Sequence, residues 1–208
     1  MTGATGYIGG ALVPLLLARG HRVLALARAG SEARVPAGAA VVTGSALDSG
    51  TYAARVPPVA TFVHLVGVAH PSPKKVREFR DVDLASLKAS LVAAVAARVA
   101  HFVYLSVAHP APVMSAYWEA RAEGEALLEA TGLPATILRP WYVLGKGHLW
   151  PYALLPLYAL AERIPATRAG ARRLGLVTLA QMTRALAAAV ENPPAAVRVL
   201  DVPAIRAA

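Results

Sequence analysis

Apolar residues along the chain fall in short runs separated by glycine, proline and polar turns. Runs at His21–Arg28, Ala40–Thr43, Ala60–Val66, His101–Ser106, Pro134–Leu138 and Val197–Val202 are largely continuous rather than alternating, which predicts buried strands. Helical patterns lie between them. Gly6–Arg19 reads as a helix stopped by Gly20, with Pro14 predicting a kink. Pro71 and Pro73 open a long helix over about Lys74–Ala100, whose apolar face carries Leu84, Leu87, Leu91, Val95 and Val99 at steps of three and four. Ser115–Ala130 is a helix closed by Gly132 and Pro134. Thr178–Glu191 is another, with Thr178 as N-cap and Asn192-Pro193-Pro194 as its stop. Ser31–Ala39 and Gly145–Gly147 read as loops, the stretch to Arg163 as helix interrupted by Pro151 and Pro156, and Arg172–Val177 as extended.

Strands alternating with helices predict an α/β fold: a doubly wound parallel sheet with right-handed crossovers. The expected organisation is one domain over residues 1–208, with a small substrate-side region within about 142–177. Ligands on such sheets bind beyond the carboxyl ends of the strands. Arg28, Asp48, Gly67, Ser106 and Pro140 all come directly after apolar strands, so they converge on one edge of the fold.

Composition narrows the chemistry. Hydrophobic residues make up 56% and charged residues 16%, which excludes a disordered chain. There is no cysteine, which removes disulfides, thiolate metal sites and a cysteine nucleophile, and fits a reducing, cytoplasmic setting. The histidine pairs His64/His70 and His101/His109 lack helix-face ligand spacing, and no Asp or Glu cluster joins them, so no metal is expected. The net charge of +9 comes mostly from arginine. It fits nucleic acid, an anionic surface or a phosphorylated small molecule. No block of five basic residues and no aromatic–basic interleaving occurs, so nucleic acid is not expected. No apolar run reaches the roughly 18 residues of a membrane span, and no cleavable leader pattern is visible. A small-molecule partner remains.

The stretch Thr2-Gly3-Ala4-Thr5-Gly6-Tyr7-Ile8-Gly9 places glycines three apart immediately before a helix. A Gly-rich turn entering a helix needs backbone freedom, and a helix N-terminus aims N–H donors and a favourable dipole at an anion. On the same strand-end edge, Ser106 closes a strand, and Tyr117 and Arg121 form an i, i+4 pair that shares one helix face.

These motifs resemble the short-chain dehydrogenase/reductase superfamily in its extended or atypical branch. That branch includes NAD(P)H-binding proteins that are NmrA-like, quinone-reductase-like, similar to the complex I 39-kDa subunit, or similar to NAD-dependent epimerase-dehydratases. The resemblance covers essentially the whole chain and implies a Rossmann fold that binds a nucleotide cofactor. It implies that Gly3, Thr5, Gly6, Tyr7, Ile8 and Gly9 receive the cofactor diphosphate. Arg28 stands where NAD-preferring relatives carry an acid, which implies NADP rather than NAD through a guanidinium–2′-phosphate pair, with Ser31 and Arg34 nearby; the alternative is an arginine solvating a strand end. Ser45 and Asp48 match the segment beside the adenine, with Ser45 replacing the usual first Asp; Asp48 is otherwise a turn cap. Val66, Gly67 and Val68 match the strand end that passes the nicotinamide ribose, or are simply a strand terminus. Pro140 matches a Leu-Arg-Pro segment at the site.

The catalytic set implied by the resemblance is Ser106, Tyr117 and Arg121. Catalytic relatives carry a lysine where Arg121 stands. The serine orients a carbonyl or alcohol, the tyrosine exchanges the proton, and the cation holds the ribose and lowers the tyrosine pKa. Arginine binds hydroxyls but relays no proton. Two readings are open. One is an oxidoreductase, or an epimerase/dehydratase-like enzyme, acting with NADP(H) on a small carbonyl, quinone or sugar-like substrate. The other is a non-catalytic NAD(P)H-binding redox sensor or assembly subunit. Trp118 and Trp141 read as packing residues, Trp141 and Tyr142 alternatively as lining the cofactor or substrate pocket, and His148, Trp150 and Tyr152 either as shaping a substrate mouth or as surface packing. The resemblance further implies a homodimer.

The fold also predicts an apolar strand before the glycine stretch, and only Met1 and Thr2 precede Gly3. A sheet lacking its first strand leaves backbone groups unmet at about 1–3 kcal/mol each. The expectation is therefore that Met1 is a misread start, a valine codon within a longer reading frame, and that a chain beginning here folds and binds weakly.

Overall fold

In a computed structural model, residues 1–58, 60–69, 71–145, 155–161 and 163–208 are described. Strands β1 (Leu24–Ala27) and β2 (Ala40–Thr43) pair in parallel. Strands β3 (Thr61–His64), β4 (His101–Leu105), β5 (Ala135–Leu138) and β8 (Val197–Leu200) form a second parallel sheet in that order. The middle strands carry uninterrupted apolar runs because helices cover both faces. Helices α1 (Tyr7–Ala18) and α7 (Leu179–Glu191) lie on one face, where Leu12, Val13, Leu16, Met182 and Leu186 pack against Val63, Val103 and Leu138. Helices α3 (Ala85–Ala96) and α4 (Ser115–Ala130) cover the other, where Leu87, Leu91 and Leu128 pack on Phe62, Phe102 and Tyr104. Phe62 and Phe102 stack across neighbouring strands at 5.2 Å. The end strands β2 and β8 alternate or stay exposed, as open edges require. This is the doubly wound α/β architecture that the alternating pattern predicts.

The two sheets are joined through Met1 and Thr2. Met1 O accepts from Leu26 N (2.9 Å), while Thr2 N donates to Val63 O (2.9 Å) and Thr2 O accepts from Leu65 N (3.2 Å). One parallel bridge, Thr2 to His64, results. These two residues stand where the expected first strand would run. Behind them, a cavity of about 110 Å³ opens between Leu24 and Leu26 on one side and Thr61 and Phe62 on the other.

The remaining elements refine the sequence reading. Helix α1 runs through Pro14 as one helix, with Gly20 at φ 83 behind it. Thr178 caps α7 through a reciprocal box: its Oγ1 accepts from Gln181 N (3.1 Å), and Gln181 Oε1 accepts from Thr178 N (2.9 Å). The expected helix over Lys74–Ala100 is shorter and broken in register. A 3-10 turn (Pro73–Lys75) and α2 (Val76–Glu78) lead into a π-helical stretch, Phe79–Leu84, before α3. Leu84, Leu87 and Leu91 face the core, while Val95, in the last turn of α3, is exposed. The helix ends at Ala96. Arg98, at φ 53, then turns the chain so that Val99 re-enters the core.

The extended segment expected at Arg172–Val177 is instead the end of α6 (Pro165–Arg173) followed by β7 (Leu176–Thr178). Strand β7 pairs with β6 (Tyr142–Leu144), a strand too short for its pattern to register. Helix α5 (Leu155–Ala161) precedes α6, and α8 (Val202–Ala207), N-capped by Asp201, closes the chain. Among the described residues, no helix is long and apolar enough to cross a membrane, and no His, Asp or Glu cluster is placed to hold a metal ion.

Two histidines are buried in this core. His64 Nδ1 lies 3.0 Å from Thr2 Oγ1 and 2.9 Å from Ser90 Oγ. His101 Nε2 lies 3.0 Å from Thr136 Oγ1. Burial, reinforced by Arg121, lowers His64 to about 3. Burial, reinforced by Arg198, lowers His101 to about 4. The fold therefore holds both rings neutral. An unfolded histidine titrates near 6.5, so this stability is complete above that pH and is lost as pH falls towards 4 and then 3. The displacement at His101 alone corresponds to roughly 3 kcal/mol. Urea melts should show midpoints falling steadily between pH 6.5 and pH 4. A flat profile across that window would contradict the burial of neutral rings.

Candidate functional site

The glycine stretch forms a cradle at the carboxyl end of the Met1–Thr2 bridge. Gly3 sits at φ 78, and a Cβ there would meet the Leu65 carbonyl carbon at 2.8 Å. A Cβ on Gly9 would overlap Gly3 O and approach Ala4 Cα to 2.8 Å, so the helix and the loop touch backbone to backbone. Gly6 N donates to Gly3 O (3.1 Å), and Gly10 N makes the first helical bond to Gly6 O (2.8 Å). Gly6 is the N-cap of α1 and supplies no side chain to close it. The N–H groups of Tyr7, Ile8 and Gly9 therefore remain as first-turn donors at the positive end of the helix dipole. A dinucleotide diphosphate fits this cradle on those grounds. The Tyr7 side chain leaves it, its hydroxyl lying where a side chain on Gly145 would go.

Beside the cradle, the end of β1 is cationic. The exposed Arg28 guanidinium makes no hydrogen bond or ion pair among the described residues, while Arg34 reaches over the loop, its Nη2 3.3 Å from Thr5 O. Between them in sequence, Glu32 accepts from Thr43 Oγ1 (3.3 Å). Ser45 and Asp48 build the next turn: Ser45 Oγ accepts from Leu47 N (3.3 Å), and Asp48 Oδ1 accepts from Gly50 N (2.9 Å) as the cap of a 3-10 turn.

On the other side of the cradle, Arg121 is buried and fixed. Its Nη1 donates to Leu105 O (2.9 Å) at the end of β4, and its Nη2 to Val66 O (3.4 Å) beyond β3. Asp83 Oδ1 lies 3.4 Å from the same Nη2 and accepts from Val68 N (2.7 Å). Asp83 lies within the π-helical stretch and is buried. Burial pushes its carboxyl above the usual range, against the pull of Arg121 and the Val68 N–H. A Cβ on Gly67 would overlap the Arg121 guanidinium, which accounts for the glycine in Val66-Gly67-Val68. The guanidinium also lies over the rings of Tyr104 (5.8 Å) and Tyr117 (5.5 Å).

Tyr117 packs against Phe79 at 5.0 Å. Burial raises its pKa, opposed by Arg121, so at neutral pH it is a protonated phenol. Ser106 is brought not to Tyr117 but to a second buried carboxylate: its Oγ donates to Glu125 Oε1. Arg139 clasps Glu125, with Nε 3.1 Å from both oxygens and Nη2 on Oε2. His109 Nε2 stands 3.3 Å from Oε1, its ring stacked on Trp118 at 6.1 Å. Glu125, Arg139, His109 and Asp83 were not among the residues expected from sequence. Glu125 carried a signal nonetheless, lying one helical turn beyond Arg121 on the same face. Pro140 is buried, and its carbonyl accepts from Ala108 N (2.8 Å). Trp141 and Tyr142 pack edge-on at 5.6 Å. His148, Trp150 and Tyr152 lie outside the described residues.

Comparison with known proteins agrees with this geometry. Residues 3–148 match the family model described as NAD(P)H-binding. No curated protein matches the chain in sequence. Among solved structures, the Bordetella bronchiseptica enzyme WbmH in complex with NAD+ superposes with a TM-score of 0.70 at 21% identity, over 96% of this chain and 74% of that one. The Thermus thermophilus UDP-glucose 4-epimerase complex with NAD gives 0.69 at 20%, over 96% and 76%. The Streptomyces venezuelae dTDP-glucose 4,6-dehydratase DesIV gives 0.69 at 20%, over 95% and 73%. With the cradle at Gly3–Gly9 and the parallel sheet behind it, the chain belongs to the NAD(P)H-binding family, on the Rossmann fold of the extended short-chain dehydrogenases and epimerase-dehydratases.

Proposed function

We propose that this chain is an NADP(H)-dependent oxidoreductase or epimerase/dehydratase-like enzyme acting on a small carbonyl, quinone or sugar-like substrate. The observation that carries the reading is the meeting of Tyr117 with Arg121 at the carboxyl ends of β3 and β4, on the strand-end edge that also carries the glycine cradle. Arg28 and Arg34 support a 2′-phosphate and so NADP over NAD, with the one acid between them in sequence, Glu32, accepting from Thr43 Oγ1. A bound nicotinamide supplies or accepts hydride. Tyr117 delivers the proton to the substrate oxygen, or withdraws it in the reverse direction. Ser106, its own proton given to Glu125, accepts from a substrate hydroxyl. The small β6–β7 sheet with α5 and α6 forms the substrate-side wall, and the protein acts in the cytoplasm.

A second reading, a non-catalytic NAD(P)H sensor or assembly subunit, is favoured by one observation. Arg121 is committed to Leu105 O, Val66 O and Asp83, a fixed strut rather than a mobile cation. A Tyr117→Phe variant separates the two. Against a panel of aldehydes, ketones and quinones, NADPH oxidation should fall about 100-fold or more, the usual size of a lost acid/base group, while NADPH affinity stays. Unchanged turnover, or no turnover by the parent chain on any of the panel, would favour the second reading.

A further inference from the structure

Behind Glu125 lies a cavity of about 440 Å³ between the ends of β4, β5 and β8 and the last turn of α6. His109, Arg139, Arg172, Arg173 and Asp201 line it. Arg139 is already paired with Glu125, though its Nη1 is not used in that clasp. Arg172 and Arg173 are exposed and have no acidic partner among the described residues. The opposing carboxylate, Asp201, is engaged as the cap of α8, its Oδ1 3.0 Å from Ala204 N. Two uncompensated guanidiniums thus face a cavity with a single carboxylate in its wall. Like charges so placed repel one another, and an anion between them removes that cost while gaining charge-assisted hydrogen bonds from planar forks.

We infer that this cavity binds a carboxylate or phosphate group on the substrate. Arg139 and His109 in the cavity wall both contact Glu125, which also accepts from Ser106, so a substrate anchored there by its anionic end is linked to Ser106 through that shared carboxylate. The inference rests on the proposed enzymatic reading and adds the substrate class to it: a small carbonyl compound or alcohol that carries a negative charge. Binding is strongest at low ionic strength, because exposed guanidiniums are screened by salt.

The test uses inorganic phosphate and succinate as probes, titrated by calorimetry at low salt into the chain presaturated with NADPH. Saturation removes the cradle at Gly3–Gly9 as a competing anion site. The comparison is the double variant Arg172→Gln/Arg173→Gln, whose changes are on the surface and whose fold is checked by circular dichroism. Binding of either probe to the parent chain, weakened at least about 10-fold in the variant with the NADPH affinity unchanged, supports the inference. Which probe binds tells a phosphorylated from a carboxylated substrate. Equal binding to both chains, no binding to either, or a parallel loss of NADPH affinity overturns it. Failure of the dinucleotide reading shows separately, as absence of NADPH binding to the parent chain; the probes are then titrated without cofactor, and the same comparison decides.

Discussion

Replacing Gly9 with alanine is expected to weaken NADPH binding by about 100-fold, or about 2.7 kcal/mol. The added methyl group has nowhere to go. It would overlap Gly3 O and stand 2.8 Å from Ala4 Cα, both backbone atoms that no rotamer change can move. Helix α1 must then back away from the loop, carrying the Tyr7, Ile8 and Gly9 donors with it. Gly10→Ala is the control: its Cβ would meet only Ala4 O, at 4.0 Å, so affinity should be unchanged. The pair is read by fluorescence titration with NADPH. Equal affinities for both variants would mean that the close helix–loop approach plays no part in binding.

Replacing Arg121 with leucine should cost about 3–5 kcal/mol of stability, the usual penalty for leaving one partner of a buried ion pair alone. Asp83 would keep only the Val68 N–H, and the carbonyls of Leu105 and Val66 would lose their donor. Adding Asp83→Leu should recover part of the loss, since it removes the stranded charge. Arg121→Lys should lie between, because one ammonium cannot span two strand-end carbonyls and a carboxylate as a fork does. Urea melts of the four chains measure this, and a loss below about 1 kcal/mol in Arg121→Leu would mean the strut is not structural.

Local pattern carried much of the fold. The strand at Ala40–Thr43 and the helix at Ser115–Ala130 fall where the apolar runs and stop signals put them, and Thr178 caps as its residue type predicts. The π-helical stretch was not legible, because one extra residue in a turn leaves no mark on a three-and-four spacing. The burial of Asp83 within it was hidden with it. The i, i+4 rule brought Tyr117 and Arg121 together, since a single helix holds both. The Glu125–Arg139 clasp joins a helix face to a strand end fourteen residues on, a contact made by packing rather than by local sequence. Gly67 could be seen as a strand terminus, but the side chain that requires it, Arg121, lies on another element.

The most direct measurement is a paired titration of the purified chain with NADPH and with NADH, monitored by nicotinamide fluorescence. Both are expected to bind at the Gly3–Gly9 cradle, NADPH at least about 10-fold more tightly, an advantage lost when Arg28 and Arg34 are changed to alanine. Tighter binding of NADH, or no binding of either, would contradict an NADP(H) site built on the glycine cradle and its two flanking arginines.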